Sequence, residues 1–308
     1  MLKDFRGYLK ICAILIGVFL LSGEAFAASG KFFIVGMGSA PDLITLRAVE
    51  CVKQADIIIL EEQGDKAAWK DLIGDKDVWF MGHSSQIFYG LNPQTLKNKA
   101  LKEKAIRMAK FRQEMIDKIR IAVENGKKVA ALQWGDPMMY GITFYLEMLP
   151  KSIPSEIIPG VGAFQASSAA VKMSPPYGWD TSSVILTMAD WPGRADKNEK
   201  LMATQTSMVF YTMHLDYPQL FEQLQRNYPH DTPVAVVNYA GDRERQNVIY
   251  STVGNFLKEV KYKELPEEAH MLLVGKFLKV GQARKEGLTN GKAYVEERHG
   301  ANPGAPKY

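Results

Sequence analysis

The segment Lys31–Gly36 is a short apolar run that closes on glycine. A run of that length suits a strand buried on both faces of a parallel sheet. Residues 43–55 follow, with Leu43, Leu46, Ala48, Val49 and Val52 at helical spacing, and a second apolar run, Ile57–Leu60, comes directly after. Strand, helix and strand within about thirty residues make a βαβ unit. Such a unit commits the chain to an α/β fold, because each crossover helix must cover a face of the sheet it spans.

The same alternation continues along the chain. Residues 78–81 form a further strand candidate, and the charged stretch 93–125 is helix-rich, with Gly126 as its stop. Residues 129–132 read as another buried strand running into Trp134-Gly135-Asp136-Pro137. The pattern then resets. Residues 156–158 are a strand, Pro159-Gly160 turns the chain, and the small-residue segment Ala163–Val171 is a helix. Strands are expected at 183–187, 208–211, 234–237, Asn247–Thr252 and 271–274, with helices over 218–226 and 254–260 between some of them. A boundary near 151–154 divides the body into an N-terminal α/β domain, 28–150, and a C-terminal α/β domain, 151–286. A polar tail of 287–308 follows, for which poor order is expected.

Ahead of this body sits a segment with the grammar of a secretory signal. Lys3, Arg6 and Lys10 precede the apolar run 11–21, and Ala25-Phe26-Ala27 is a small-residue cleavage site, which places the cut after Ala27. The run is about half the ~20 residues that span a bilayer; an uncleaved anchor is the alternative. The signal reading implies export, in a bacterium to the periplasm, and no membrane contact after cleavage. Loss of residues 1–27 removes three of 38 basic and two of 34 acidic side chains, leaving 35 against 32. So mild a balance, without a basic cluster, does not imply nucleic acid. Cys12 would leave with the signal, so Cys51 has no partner in the mature chain and reads as a packed thiol. The histidines show no ligand spacing, so no metal site is expected.

Ligands of open α/β sheets bind beyond the carboxyl ends of the strands, and two segments there have the right form. In Val35-Gly36-Met37-Gly38-Ser39-Ala40-Pro41-Asp42 the glycines free the backbone for close approach. In Gly135-Asp136-Pro137-Met138-Met139-Tyr140-Gly141, Asp136 suits an N-cap and Pro137 the first turn of a helix, whose free N–H groups could receive a ligand oxygen. Either segment on its own is also compatible with an ordinary turn or a structural cap.

In their order the blocks VGMGSAPDLITLRAVECVKQADIII, VAALQWGDPMMYG, EIIPGVGAFQASSAAV, MVFY, DTPVAVVNYA and HMLLVGKFL resemble the tetrapyrrole methylase family, over about 31–281. The resemblance implies two α/β domains with S-adenosylmethionine (SAM) folded into the cleft between them, in a homodimer. It assigns the cofactor contacts to Gly36, Gly38, Gly135, Asp136, Pro137, Met138, Tyr211, Thr212, Ala235 and Val236, with the acceptor over the first loop. Two departures bear on that acceptor. Gly38-Ser39-Ala40-Pro41 is about one residue shorter than the family's Gly-x-Gly-Pro-Gly-Asp and lacks its Gly-Asp pair, and Tyr211-Thr212-Met213 stands for the commoner Tyr-Met-Gly. Residues 83–107, with Phe88, Tyr89 and Leu91, look like an added segment that could lid the cleft.

The resemblance implies a SAM-dependent methyltransferase whose acceptor is a small molecule, tetrapyrrole-like in the family and not necessarily a precorrin here. Methyl displacement from a sulfonium needs alignment and dryness more than a nucleophilic side chain. His83, Asp190, His214 and Asp42 fall near strand ends as candidates for a base, His230 and His270 look structural, and no catalytic residue is assigned. Two alternatives remain open. One is a non-catalytic periplasmic binding protein using the inherited cleft for a tetrapyrrole or other small molecule. The other is a cytosolic enzyme whose first 27 residues are a mis-assigned start.

Overall fold

The structure is a computed structural model that describes residues 30–82, 86, 88–141, 144–176 and 183–279. The signal segment, His83 and the tail 287–308 lie outside the described residues. The chain falls into two compact units. One takes the described residues up to Val35, Val49–Gln133 and Ile142–Ile158; the other takes Gly36–Ala48, Trp134–Gly141 and the residues from Pro159 on.

In the first unit, strands β1 (Lys31–Gly36), β2 (Ile57–Leu60), β3 (Asp77–Phe80), β4 (Lys128–Gln133) and β5 (Ser155–Ile158) form one sheet in the order β3-β2-β4-β1-β5. The β1–β5, β2–β3 and β2–β4 pairs are parallel. β2 is buried along its whole length, as a strand covered on both faces must be. Helix α1 (Leu46–Gln54) links β1 to β2, and helix α2 (Lys99–Glu124) links β3 to β4. Phe32, Ile34, Ile57, Ile59, Val129 and Ala131 pack with Met115, Ile116, Ile119 and Val123 of α2. α2 starts where Asn98 Oδ1 accepts the Leu101 N–H at 3.1 Å, and Gly126 at φ +81 turns the chain after it. In the stretch read from the sequence as an added segment, Phe88 and Tyr89 are fastened within this unit. The Arg112 guanidinium lies 5.6 Å over the Tyr89 ring, the Tyr89 hydroxyl donates to Glu147 at 2.6 Å, and Arg112 donates to the Phe88 carbonyl at 3.4 Å.

The second unit contains β6 (Val184–Thr187), β7 (Ser207–Tyr211), β8 (Pro233–Asn238), β9 (Asn247–Thr252) and β10 (His270–Val274), in the order β6-β7-β10-β8-β9. β6 and β7 are parallel; β10 runs antiparallel to both β7 and β8, and β9 antiparallel to β8. The carboxyl ends of β6, β7 and β8 therefore share one edge of the sheet. Side chains alternate across it. Met208, Phe210, Val234, Val236 and Leu272 pack with helix α4 (Tyr217–Asn227), while Val209, Ala235, Val237, Met271 and Leu273 pack with helix α3 (Ala163–Val171) on the other face. The small residues of α3 allow its close seat on that face. The expected strands are present, as are the helices apart from the one expected to begin at Pro137, with ends that match or shift by up to three residues for most of them, a usual uncertainty where ends fray.

Candidate functional site

The glycine turns come together in the second unit. Gly38 N–H donates to the Gly135 carbonyl at 3.2 Å and Gly135 N–H donates to the Gly38 carbonyl at 2.8 Å, an isolated antiparallel bridge between two turns 97 positions apart in the numbering. Both residues have positive φ, +79 and +71, a region open to glycine and strained for other residues. A Cβ on Gly36 would meet Gly160 N at 2.5 Å and Pro137 Cδ at 2.8 Å, one on Gly38 would meet Leu43 O at 2.6 Å, and one on Gly160 would strike the Gly135 carbonyl oxygen. The space that frees Gly36, Gly38 and Gly160 is thus filled by the chain's own backbone. Gly135 differs, with Gly162 Cα at 3.9 Å as the nearest atom a Cβ there would meet. On the Gly135 side of the bridge the chain leaves the position of a Cβ unfilled.

The segment after Gly135 corrects one expectation. Asp136 does accept the Met138 N–H through Oδ1 at 2.8 Å, but residues 137–140 form a turn, and no helix begins at Pro137. Tyr140 stands at φ +61, which stops the turn from propagating, and the next described helix is Phe144–Met148. An Asx turn and an N-cap use the same side-chain-to-backbone bond, so the sequence alone does not separate them. Pro137 is buried against Gly36, whereas Met138 and Tyr140 are exposed.

Tyr211 ends β7, and its ring meets Tyr140 edge-on with centroids 4.9 Å apart. Burial pushes the Tyr211 phenol up to about 12, and the neighbouring Tyr140 and Asp136 add to the rise. Thr212 is buried and its hydroxyl donates to the His270 carbonyl at 2.6 Å, so it serves the fold, leaving backbone to face a ligand. Ala235 and Val236 lie within β8 and are buried. Ala235 shares the α3 face with Tyr211, whereas Val236 points into the opposite core beside Phe210 and Leu220. Across the sheet Met271 of β10 pairs with both Tyr211 and Val237, so the residue level with Tyr211 on β8 is Val237.

The first turn also meets the loop after β8. A Cβ on Gly241 would meet Leu43 Cδ1 at 2.5 Å and Ser39 Oγ at 2.8 Å, and Asp42 pairs with Arg243. Ser39 Oγ and Asn238 Oδ1 are buried polar atoms that no hydrogen bond among the described residues satisfies. An unmet buried acceptor costs about 1–3 kcal/mol, so Ser39 in the first turn and Asn238 at the end of β8 each fit a polar ligand or ordered water. Gly160 and Gly162, which seat the bridge, were not singled out as site residues; their signal was the glycine pair that follows a strand at residue 158.

Of the candidate bases, Asp42 is held by Arg243, and Asp190 accepts the Asn198 N–H at 3.1 Å and lies 3.3 Å from Arg194. His214 is exposed at φ +60 in the turn after β7. His270 is buried: Nδ1 donates to the Pro266 carbonyl at 2.6 Å, which leaves Nε2 to accept the Tyr217 hydroxyl at 2.6 Å. Burial holds its pKa below the usual histidine value. Burial likewise pushes the Cys51 thiol up to about 12, which makes it a packed, unreactive thiol.

A family profile described as Tetrapyrrole (Corrin/Porphyrin) Methylases matches residues 31–256, most of the chain. The chain belongs to the tetrapyrrole methylase family. Members of this family use SAM. Among its relatives, a cobalt-precorrin-4 C(11)-methyltransferase of Methanocaldococcus jannaschii is 28% identical over 255 residues, covering 80% of this chain and 88% of the relative. A uroporphyrinogen-III C-methyltransferase of the same organism is 25% identical over 260 residues, covering 82% and 98%. The fold of this tetrapyrrole methylase matches a solved cobalt precorrin-4 methyltransferase with a TM-score of 0.61 at 22% identity, over 82% of this chain and 97% of the other. It also matches a uroporphyrin-III C-methyltransferase from Thermus thermophilus complexed with S-adenosyl homocysteine, with a TM-score of 0.57 at 16% identity, over 82% and 94%.

Proposed function

We propose that this tetrapyrrole methylase is a SAM-dependent methyltransferase acting on a tetrapyrrole-like small molecule. The observation that carries the reading is the mutual Gly38–Gly135 bridge, which joins the two motif turns in one unit and leaves the position of a Cβ on Gly135 unfilled. The donor set suits the cofactor: the backbone at Gly135, the Asp136 turn, the Tyr211 ring and the unmet Ser39 and Asn238 oxygens supply polar and aromatic partners for a nucleoside. Gly36, Gly38 and Pro137 shape this wall, and Met138 covers it.

SAM when bound supplies an electrophilic methyl group and a good leaving group. The chain's part is then to hold and to dry. The half-buried Tyr211 phenol, with its pKa pushed up to about 12, stays neutral and can donate one hydrogen bond without bringing a charge near a cation. Asp136 is tied to the Met138 amide, which orients the turn, and Ala235 keeps the α3 face of β8 shallow. Export of the chain after cleavage at Ala27, and a homodimer, are further parts of this proposal; among the described residues no helix is long and apolar enough to cross a membrane.

Calorimetric titration of the purified protein with SAM tests the reading. Saturable one-to-one binding that Asp136→Ala weakens supports it; no heat at millimolar SAM refutes it and favours a non-catalytic binding protein. Amino-terminal sequencing of the protein from fractionated cells tests export, with Ala28 as the expected first residue.

A further inference from the structure

The loop that leaves β6 is tied down more heavily than its length requires. The Arg194 side chain, only 7% exposed, spends its donors within this loop. Nε donates to Asp196 at 2.9 Å, Nη1 to the Met188 carbonyl at 3.1 Å, and Nη2 to the Thr187 hydroxyl at 2.9 Å. Asp190 lies 3.3 Å from Nη1. Asn198 adds a second set of bonds, giving its Nδ2 to the Met188 carbonyl at 2.8 Å and receiving the Thr187 hydroxyl at 2.6 Å. An arginine with its fork filled by the chain itself is not an anion receptor. Its work is to fix the loop.

What the fixed loop displays is Trp191, 52% exposed, with its ring 5.1 Å from the Arg194 guanidinium. Thr187, the last residue of β6, pairs with Phe210, the residue before Tyr211 on β7, and Tyr140, 43% exposed, contacts Tyr211. The Trp191–Arg194 pair and the Tyr140–Tyr211 pair thus belong to segments at the end of the sheet where β6 and β7 finish. Tyr140 holds this place at φ +61, a conformation that costs a non-glycine residue about 1–2 kcal/mol. A rigid loop and a strained residue both spent on exposed aromatic rings mark a surface made for a flat ligand.

Resting on the proposed methyltransferase reading, we infer that Trp191 is a specificity residue for the acceptor, and that its exposed indole face stacks on one pyrrole-type ring. The indole is electron-rich and large, and Arg194 behind it keeps the ring from rotating away. A pyrrole-type ring is the feature that a tetrapyrrole-like acceptor would offer it. Because Tyr211 belongs to the proposed cofactor wall, the ring bound at Trp191 lies on the same rim as the methyl donor site.

The test uses uroporphyrin III as a stable tetrapyrrole probe and S-adenosyl homocysteine as the cofactor probe, each titrated into the full protein and its variants by absorbance and calorimetry. Trp191→Ala should raise the porphyrin Kd about tenfold while leaving the S-adenosyl homocysteine Kd within about twofold, Trp191→Phe should restore most of the porphyrin affinity, and Tyr250→Ala, an exposed ring on the edge strand β9, should change neither. Thermal melts of each variant confirm that it folds. An unchanged porphyrin Kd in Trp191→Ala overturns the inference, as does an equal loss of both ligands, which would mark Trp191 as structural. Binding of S-adenosyl homocysteine without porphyrin binding also overturns it while leaving the cofactor site standing. Porphyrin binding that depends on Trp191 in a protein that ignores the cofactor probe would instead sink the methyltransferase reading and keep the ring contact.

Discussion

Gly160→Ala should damage the site from beneath, through the backbone packed under the Gly38–Gly135 bridge. A Cβ there would strike the Gly135 carbonyl oxygen and lie 2.9 Å from Gly36 C. These are backbone atoms, which cannot swing aside as a flexible side chain would. Overpacking of this kind costs about 1–3 kcal/mol. The displaced carbonyl is also the acceptor for Gly38 N–H at 3.2 Å, and losing that bond adds about 1 kcal/mol. The sum is about 2–4 kcal/mol, and at about 2–4 °C per kcal/mol for a domain of this size the melting midpoint should fall by about 4–16 °C. Gly64→Ala is the control: a Cβ there meets nothing within 4 Å, and its φ of −60 and ψ of −31 suit alanine. Melts followed by circular dichroism, paired with titration of S-adenosyl homocysteine at a temperature where both variants are folded, read the two effects. Gly160→Ala should lose both stability and affinity. A melting midpoint equal to that of Gly64→Ala would show that the three glycine backbones are not packed as described.

Asp136→Ala removes the acceptor of the Met138 amide, so it should cost about 1 kcal/mol of stability and raise the S-adenosyl homocysteine Kd about tenfold, measured by melt and calorimetry. Tyr217→Phe leaves His270 Nε2 buried without its donor, and chemical unfolding should show a loss of about 1–3 kcal/mol. His270 has a folded pKa below its ordinary value of 6.5, so the folded state binds fewer protons than the unfolded one below that pH. Its contribution is complete above about pH 6.5 and is lost as the pH falls from there through the depressed folded value. The urea midpoint of the native protein should therefore drop on acidification below about pH 6.5 more steeply than that of His270→Asn. Val236→Trp should destabilise by overpacking the core beside Phe210 and Leu220, with melting, not ligand affinity, as the first property to change.

The strands were legible because buried strands are continuous apolar runs, and Ile57–Leu60 and Lys31–Gly36 occur with the bounds their composition implies. Ala163–Val171 was legible for a related reason, since its small residues mark a close helix–sheet contact. The local chemistry of Asp136 was half legible: the side-chain bond to the backbone could be read, but whether a helix or a turn followed depended on Tyr140, whose positive φ has no sequence signature. What the sequence could not show was why Gly36 is glycine. Its reason, Gly160, lies in a later part of the chain, and only the folded backbone brings them together. The same holds for Val236, whose strand was evident but whose face was decided by register against β10. Trp191 gave no signal, because nothing in its neighbourhood marks Arg194 as a buried tie before the loop is folded.

Hydrogen–deuterium exchange with and without S-adenosyl homocysteine locates the cofactor most directly. If the turns around the Gly38–Gly135 bridge form its wall, slowed exchange will concentrate in peptides covering 36–48, 134–141 and 211–216. Saturation of the protein with no slowing in those three peptides, or with slowing confined to other parts of the chain, would contradict it.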